Sequence, residues 1–225
     1  MINSHQSYTI NFMKTVYLHG FAAGPGIWDG QKPGFTPQID FSDLEAESHR
    51  LSSAIGPETI LIGWSMGGMV ALKTALLSPG KVKALVLVST TPKFVSSPDY
   101  PYGLPLALLR NLKKKIKLNG VKAFHSLAFK DLPVPGLIDT PIEQAEKELA
   151  ELEKVDLREL LAKIEAPTLI IHGNKDQIVP VKSAEYLAKN ISGSELHIYD
   201  KVGHAPFLER SKQFNQCIRN FINKI

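Results

Sequence analysis

One stretch constrains this chain more than any other: the apolar run Thr59-Ile-Leu-Ile62, followed at once by Gly63-Trp-Ser-Met-Gly-Gly68 and then by a helix-forming segment from Met69 to Leu77. A strand that ends on G-x-S-x-G and turns straight into a helix has the layout of a nucleophile elbow. The turn forces its serine into a strained backbone conformation, and the flanking glycines let neighbouring backbone approach without a clash. The same letters would also fit a plain tight turn. The strand before and the helix after are what favour the elbow, with Ser65 as the candidate nucleophile.

The rest of the chain supplies the sheet such an elbow needs. Thr15–Leu18, Ala84–Val88, Thr168–Ile171 and Glu195–Tyr199 read as further short strands. They are β-branched and mostly apolar on both faces, as in a parallel sheet covered by helices. Alternation of strand and helix predicts an α/β fold with a mostly parallel, doubly wound sheet. The last helix is expected from Ser211 to Ile225. Residues 93–160 break the rhythm with six prolines and strong helical patterns. A basic helix is expected at Pro105–Lys117, continuing as Val121–Phe129. An acidic one follows from Pro141 to about Leu152, with Thr140 as N-cap and Glu143 completing a capping box. The expected organisation is therefore a core of residues 1–92 and 161–225, with 93–160 inserted over the C-terminal edge of the sheet.

Composition narrows the function classes. The 225 residues carry 44% apolar and 21% charged side chains, ordinary values for a globular chain. The lone cysteine excludes a disulfide framework and a cysteine-built zinc site, and Cys217 reads as a core thiol. No apolar run approaches a membrane span, and the first fifteen residues lack the apolar stretch of a secretory signal. The expectation is a cytoplasmic protein without membrane or nucleic-acid partners. The net charge of +4 is mild. Its distribution is not: residues 93–130 carry a net +7 and residues 131–160 a net −6.

A serine hydroxyl needs a base within hydrogen-bond reach, and that base needs an orienting acid. Behind an elbow of this kind the chain order is serine, acid, histidine. His197 falls inside a strand. His172 sits at a strand end before Gly173. His204 follows Val202-Gly203 on a loop beyond the last strand, where ligands meet parallel sheets, and is the candidate base. Asp176, just past the strand Thr168–Ile171, is the candidate acid; Asp200 lies too close to His204 and reads as a turn group. An oxyanion hole is expected from the Met66 N–H and from the Phe21 N–H in His19-Gly20-Phe21. His19 itself reads as a side chain that pins this loop. No metal or organic cofactor site is expected.

These residues resemble the α/β-hydrolase superfamily over nearly the whole chain. Within it, His19-Gly-Phe21 with Trp28, Leu61-Ile-Gly-Trp-Ser-Met-Gly-Gly68, Lys83-Ala-Leu-Val-Leu-Val88 and Gly203-His-Ala-Pro-Phe207 resemble the pimeloyl-[acyl-carrier-protein] methyl ester esterases of biotin synthesis. The resemblance implies a serine carboxylesterase acting on a small or carrier-linked ester, without cofactor. It implies substrate contacts from Phe21, Trp64, Met66, Phe124 and Leu127. It also implies a helical cap whose basic face, here Arg110, Lys113, Lys114, Lys115, Lys117 and Lys122, receives an acidic acyl carrier protein. The same triad would serve a general short-acyl esterase, a thioesterase or a carbon–carbon hydrolase, and the fold alone would also serve a binding protein. Only 46 positions separate His19 from Ser65, fewer than the family usually has. Phe35–Phe41 can supply a short strand there and Ser42–Ile55 a helix, so a trimmed sheet of six or seven strands is expected. The chain before Thr15 is too short for a robust leading hairpin.

Overall fold

A computed structural model describes residues 15–225 apart from Lys32 and Asp131. The stretch before Thr15, with the readings made on it, lies outside the described residues. In chain order the elements are β1 (Thr15–Leu18), α1 (Leu44–Ala54), β2 (Thr59–Trp64), α2 (Met66–Leu77), β3 (Val82–Val88), α3 (Leu106–Asn119), α4 (Lys122–Phe129), α5 (Ile142–Lys154), β4 (Thr168–Gly173), α6 (Val181–Asn190), β5 (Glu195–Tyr199), α7 (Pro206–Glu209) and α8 (Ser211–Ile222). The five strands form one sheet in the order β1-β2-β3-β4-β5, and every neighbouring pair is parallel. All residues of β2 and β4 are buried, so these strands lie between layers of helices.

Five strands are described where six or seven were expected. Phe35 bonds to β1 on both sides, its N–H donating to the Thr15 carbonyl at 2.8 Å and its carbonyl accepting from the Tyr17 N–H at 2.8 Å. The pairing goes no further. Pro37, two residues on, has no N–H to continue a ladder, and the chain turns inward so that the Ile39 N–H donates to His19 Nε2 at 3.1 Å. The segment becomes a tether for the loop after β1 instead of a strand.

Between β3 and β4 lie the three helices α3, α4 and α5. Leu109, Leu112 and Ile116 of α3 and Ala145, Leu149 and Leu152 of α5 are buried, so each helix turns an apolar stripe inward. The expected capping box at α5 is absent. Pro141 takes the cap position and its carbonyl accepts the Ala145 N–H at 2.9 Å. Thr140 is thereby one residue too early, and its buried hydroxyl has no partner among the described residues; Glu143 pairs with Lys147 instead. Cys217 is half-buried on α8 rather than in the core. No described helix is long and apolar enough to cross a membrane.

Candidate active site

The C-terminal ends of β1, β2 and β4 and the loop after β5 converge on Ser65. Its backbone sits at φ 55° and ψ −122°, a conformation that costs roughly 1–3 kcal/mol in a non-glycine residue. Three bonds hold it there: the Ser65 N–H donates to the Val88 carbonyl at 2.9 Å, and its carbonyl accepts from the Gly68 N–H at 3.0 Å and the Thr90 hydroxyl at 2.6 Å. A side chain at Gly63 would strike the Gly67 backbone, and one at Gly67 would strike the His19 carbonyl. The glycines are thus the space through which the elbow packs on α2 and on β1.

The structure brings together the three residues that sequence reading placed in one constellation. Ser65 Oγ lies 3.0 Å from His204 Nε2, and His204 Nδ1 lies 2.7 Å from Asp176 Oδ2. An ionised carboxylate only accepts, so Nδ1 carries the proton and Nε2 is left to accept from the Ser65 hydroxyl. The His204 and Asp176 side chains are fully buried. Asp176 Oδ1 accepts the N–H groups of Ile178 at 2.8 Å and Val179 at 3.0 Å. Burial pushes the Asp176 carboxyl up, but His204 and His172 outweigh it and hold the group below the usual carboxylate range. Asp200 accepts from Asn174 at 2.8 Å in a turn, and His197 stands half-exposed on β5.

Phe21 and Met66 are buried beside Ser65. Among the described residues nothing accepts a hydrogen bond from either backbone N–H. Two buried N–H groups without an acceptor, on residues that line the same slot as the serine, are what a developing oxyanion requires. His19 stands behind the Phe21 loop, donating from Nδ1 to the Gly20 carbonyl at 3.0 Å. Burial lowers its pKa to about 4, so it is a neutral brace.

A narrow apolar slot opens from Ser65, lined by Phe21, Met66 and Phe124 together with Met69, Leu149 and Ile178, among others. It is nearly closed, with a free volume of about 10 Å³. The last three residues come from separate elements that meet only in the folded molecule, and sequence reasoning missed them. Trp64 lies elsewhere. It is fully buried away from the slot, and its indole N–H donates to the His204 carbonyl at 2.8 Å. Leu127 lines a wider groove of about 290 Å³ that reaches His204 and also carries Lys130 and Lys175. Of the basic residues, Arg110, Lys114, Lys115, Lys117 and Lys122 are exposed, whereas Lys113 is partly buried in an ion pair with Glu153 of α5. Among the described residues no group of three or more metal-ligating side chains comes together.

This fold, with a serine elbow at its centre, is that of a hydrolase, and the sequence of the Alpha/beta hydrolase family matches residues 16–216: the chain belongs to that family. Within the family it is similar to enzymes of narrower name. It is 30% identical to the pimeloyl-[acyl-carrier protein] methyl ester esterase of Neisseria meningitidis, over 95% of each chain. It is 28% identical to the protein of the same name from Nitrosomonas europaea, over 96% of this chain and 98% of that one. Among solved structures it overlays an esterase from Exiguobacterium antarcticum with a TM-score of 0.79 at 25% identity, covering 93% of this chain and 91% of the other. It overlays a bromoperoxidase from Bacillus anthracis at 0.77 and 20% identity, over 94% and 92%; that likeness shows the fold alone.

Proposed function

We propose that this carboxylic ester hydrolase removes the methyl group from a pimeloyl methyl ester carried on acyl carrier protein. The observation that carries the reading is the buried row Ser65 Oγ, His204 Nε2, His204 Nδ1, Asp176 Oδ2, with steps of 3.0 and 2.7 Å, beside Phe21 and Met66, whose N–H groups have no acceptor among the described residues. Ser65 attacks the ester carbonyl while His204 takes its proton and Asp176 steadies the resulting imidazolium. The Phe21 and Met66 N–H groups receive the oxyanion, each contributing roughly 3–4 kcal/mol to lowering the barrier. His204 then protonates the departing methanol, and water, activated by the same histidine, releases the acid from Ser65.

The substrate comes from the name borne by the relatives, and two features support it. The slot beside Ser65 is lined mostly by apolar side chains, the surroundings an aliphatic acyl chain would meet once the slot widens to admit it. Residues 93–160, read as a cap, present exposed lysines and Arg110 on α3 and α4, complementary to an acidic carrier. Lys113 contributes less, because Glu153 already neutralises it.

The test compares a pimeloyl-carrier methyl ester with p-nitrophenyl butyrate, using wild type, Ser65→Ala and a triple reversal of Lys114, Lys115 and Lys117 to Glu. The expected result is serine-dependent cleavage of both, with the reversal slowing only the carrier-linked ester. Cleavage of the free ester alone would keep the mechanism and discard the carrier. Retention of activity in Ser65→Ala would discard the nucleophile.

A further inference from the structure

We propose that His172 is a positioning residue for this reaction: its Nε2–H, bonded to the Val179 carbonyl and held close against Asp176 Oδ2, fixes the plane of the carboxylate that His204 uses. The inference rests on the reading of Asp176 as the orienting acid. His172 closes β4 and is completely buried. Its Nε2 lies 2.9 Å from the Val179 carbonyl and 3.3 Å from Asp176 Oδ2. Both of those atoms only accept, so Nε2 carries the proton. Nδ1 is buried, with no partner among the described residues.

These contacts close a ring. Asp176 Oδ1 accepts the Val179 N–H at 3.0 Å. The Val179 carbonyl accepts from His172, and His172 also reaches Asp176 Oδ2. One imidazole therefore ties both sides of the loop from Gly173 to Val179 to the carboxylate within it. Without it, Oδ1 would still be held by two amides, but Oδ2, the oxygen facing His204, would keep His204 alone as donor among the described residues. A bare buried nitrogen at Nδ1 is a burden that an aliphatic side chain would not carry. What the imidazole supplies in return is the donor at Nε2. That donor also draws charge from Oδ2 and so moderates how strongly Asp176 stabilises a protonated His204. Among the described residues, Asp176 is the one acid within ion-pair distance of His172, and His204 lies beyond it on the same oxygen.

The experiment replaces His172 with Phe, which keeps a ring and removes the donor, and with Gln, which keeps a donor at similar reach. The readouts are kcat and KM on p-nitrophenyl butyrate and the pH dependence of Ser65 labelling by a fluorophosphonate. For His172→Phe, kcat should fall roughly tenfold to a hundredfold with KM unchanged. The low-pH limb of the labelling profile should move to higher pH, because a carboxylate with fewer donors stabilises imidazolium more. His172→Gln should recover most of kcat and return the limb. Wild-type kcat and profile in His172→Phe would overturn the inference, and so would a Gln variant as impaired as Phe. Should His172→Phe fail to fold, His172→Asn, whose amide stops short of Oδ2, gives the same contrast with Gln. Asp176→Asn is the control. Full activity there removes the acid assignment itself, whereas a crippled Asp176→Asn beside an unaffected His172→Phe removes only the role of His172.

Discussion

The same dipeptide, His-Gly, directly follows β1 as His19-Gly20 and closes β4 as His172-Gly173, and the two ends use it in opposite senses. At β1, His19 Nε2 is bare and accepts the Ile39 N–H, while Nδ1 donates to the Gly20 carbonyl. At β4, Nε2 is the donor, and Nδ1 has no partner among the described residues. The partners dictate the tautomer: a backbone N–H demands a bare nitrogen, and a carbonyl beside a carboxylate demands a protonated one. Both rings are buried connectors between a strand end and the loop that serves Ser65. One steadies the loop holding the Phe21 N–H, the other the loop holding Asp176. The first brace hydrogen-bonds to backbone alone, its ring packing edge-on against Phe41. The second touches an ionised group in the proposed proton relay, and the two ends should therefore fail differently.

The largest break in that symmetry is expected at the acid. Asp176→Asn keeps the size and the acceptor oxygen but removes the charge that fixes the His204 tautomer. Turnover should fall by roughly 10⁴ while the thermal transition moves little. No substitution at the β1 end should approach that figure, since no charged group is held there. Single-turnover hydrolysis of p-nitrophenyl butyrate by the two sets of variants makes the comparison. A His19 variant that loses as much as Asp176→Asn would erase the distinction.

Acid sharpens the comparison next. Burial lowers His19 to about 4 from an ordinary value of 6.5. The unfolded chain therefore takes up its proton first, and the folded state loses stability as pH falls from 6.5 toward 4, by up to about 3 kcal/mol. Glu148 of α5 runs the other way. Burial raises it to about 7 from 4.5, so its share of stability declines as pH rises through that range. The wild-type curve alone blends the two slopes. Denaturant unfolding of His19→Gln should lack the loss on the acid side, and Glu148→Gln should lack the loss toward neutral pH. If either variant tracks wild type across pH 4–7, that group is not the source.

At neutral pH the β1 brace should show itself in stability before activity. His19→Leu leaves the Ile39 N–H buried without an acceptor, which costs about 1–3 kcal/mol. With the Phe21 loop loosened, kcat should drop severalfold and KM little. Urea titration and steady-state kinetics on one preparation decide it. A large kcat loss at unchanged stability would mean that His19 takes part in the chemistry.

How far the sequence foretold these arrangements depends on the distance over which each signal acts. The elbow was legible because strand, glycines, serine and helix are contiguous, and a local rule governs them. Asp176 and His204 were legible because each follows a strand end, where a parallel sheet places its ligands. The short strand at Phe35–Phe41 was misread because its apolar residues suggest pairing, whereas Pro37 stops the ladder and His19 captures the Ile39 N–H. Thr140 was misread as a cap because Pro141 intervenes by a single position. The slot was legible only in part. Phe21, Met66 and Phe124 were singled out, but Met69, Leu149 and Ile178 come from α2, α5 and the β4–α6 loop, and nothing local in the chain says that they meet. Trp64 was expected against substrate because it neighbours Ser65. Strand alternation turns it to the far side of the elbow.

That placement of Trp64 supplies the smallest of the expected effects and a check on the others. The loop carrying His204 ends on no strand-end histidine of its own; the Trp64 indole N–H holds it by the His204 carbonyl at 2.8 Å. The ring also lies against the imidazole, with centroids 5.2 Å apart, and against Phe207 at 5.5 Å. Trp64→Phe removes the hydrogen bond and keeps most of the ring contact, a loss of about 1 kcal/mol in stability. Because the bond is to backbone and not to either imidazole nitrogen, kcat should fall only a fewfold. The low-pH limb of fluorophosphonate labelling should stay where it is in wild type. His172→Phe is expected to shift that limb, since it acts on the carboxylate. A shifted limb in Trp64→Phe would mean that holding the His204 backbone and holding the Asp176 carboxylate are one effect, and that the two kinds of brace cannot be separated by what they touch.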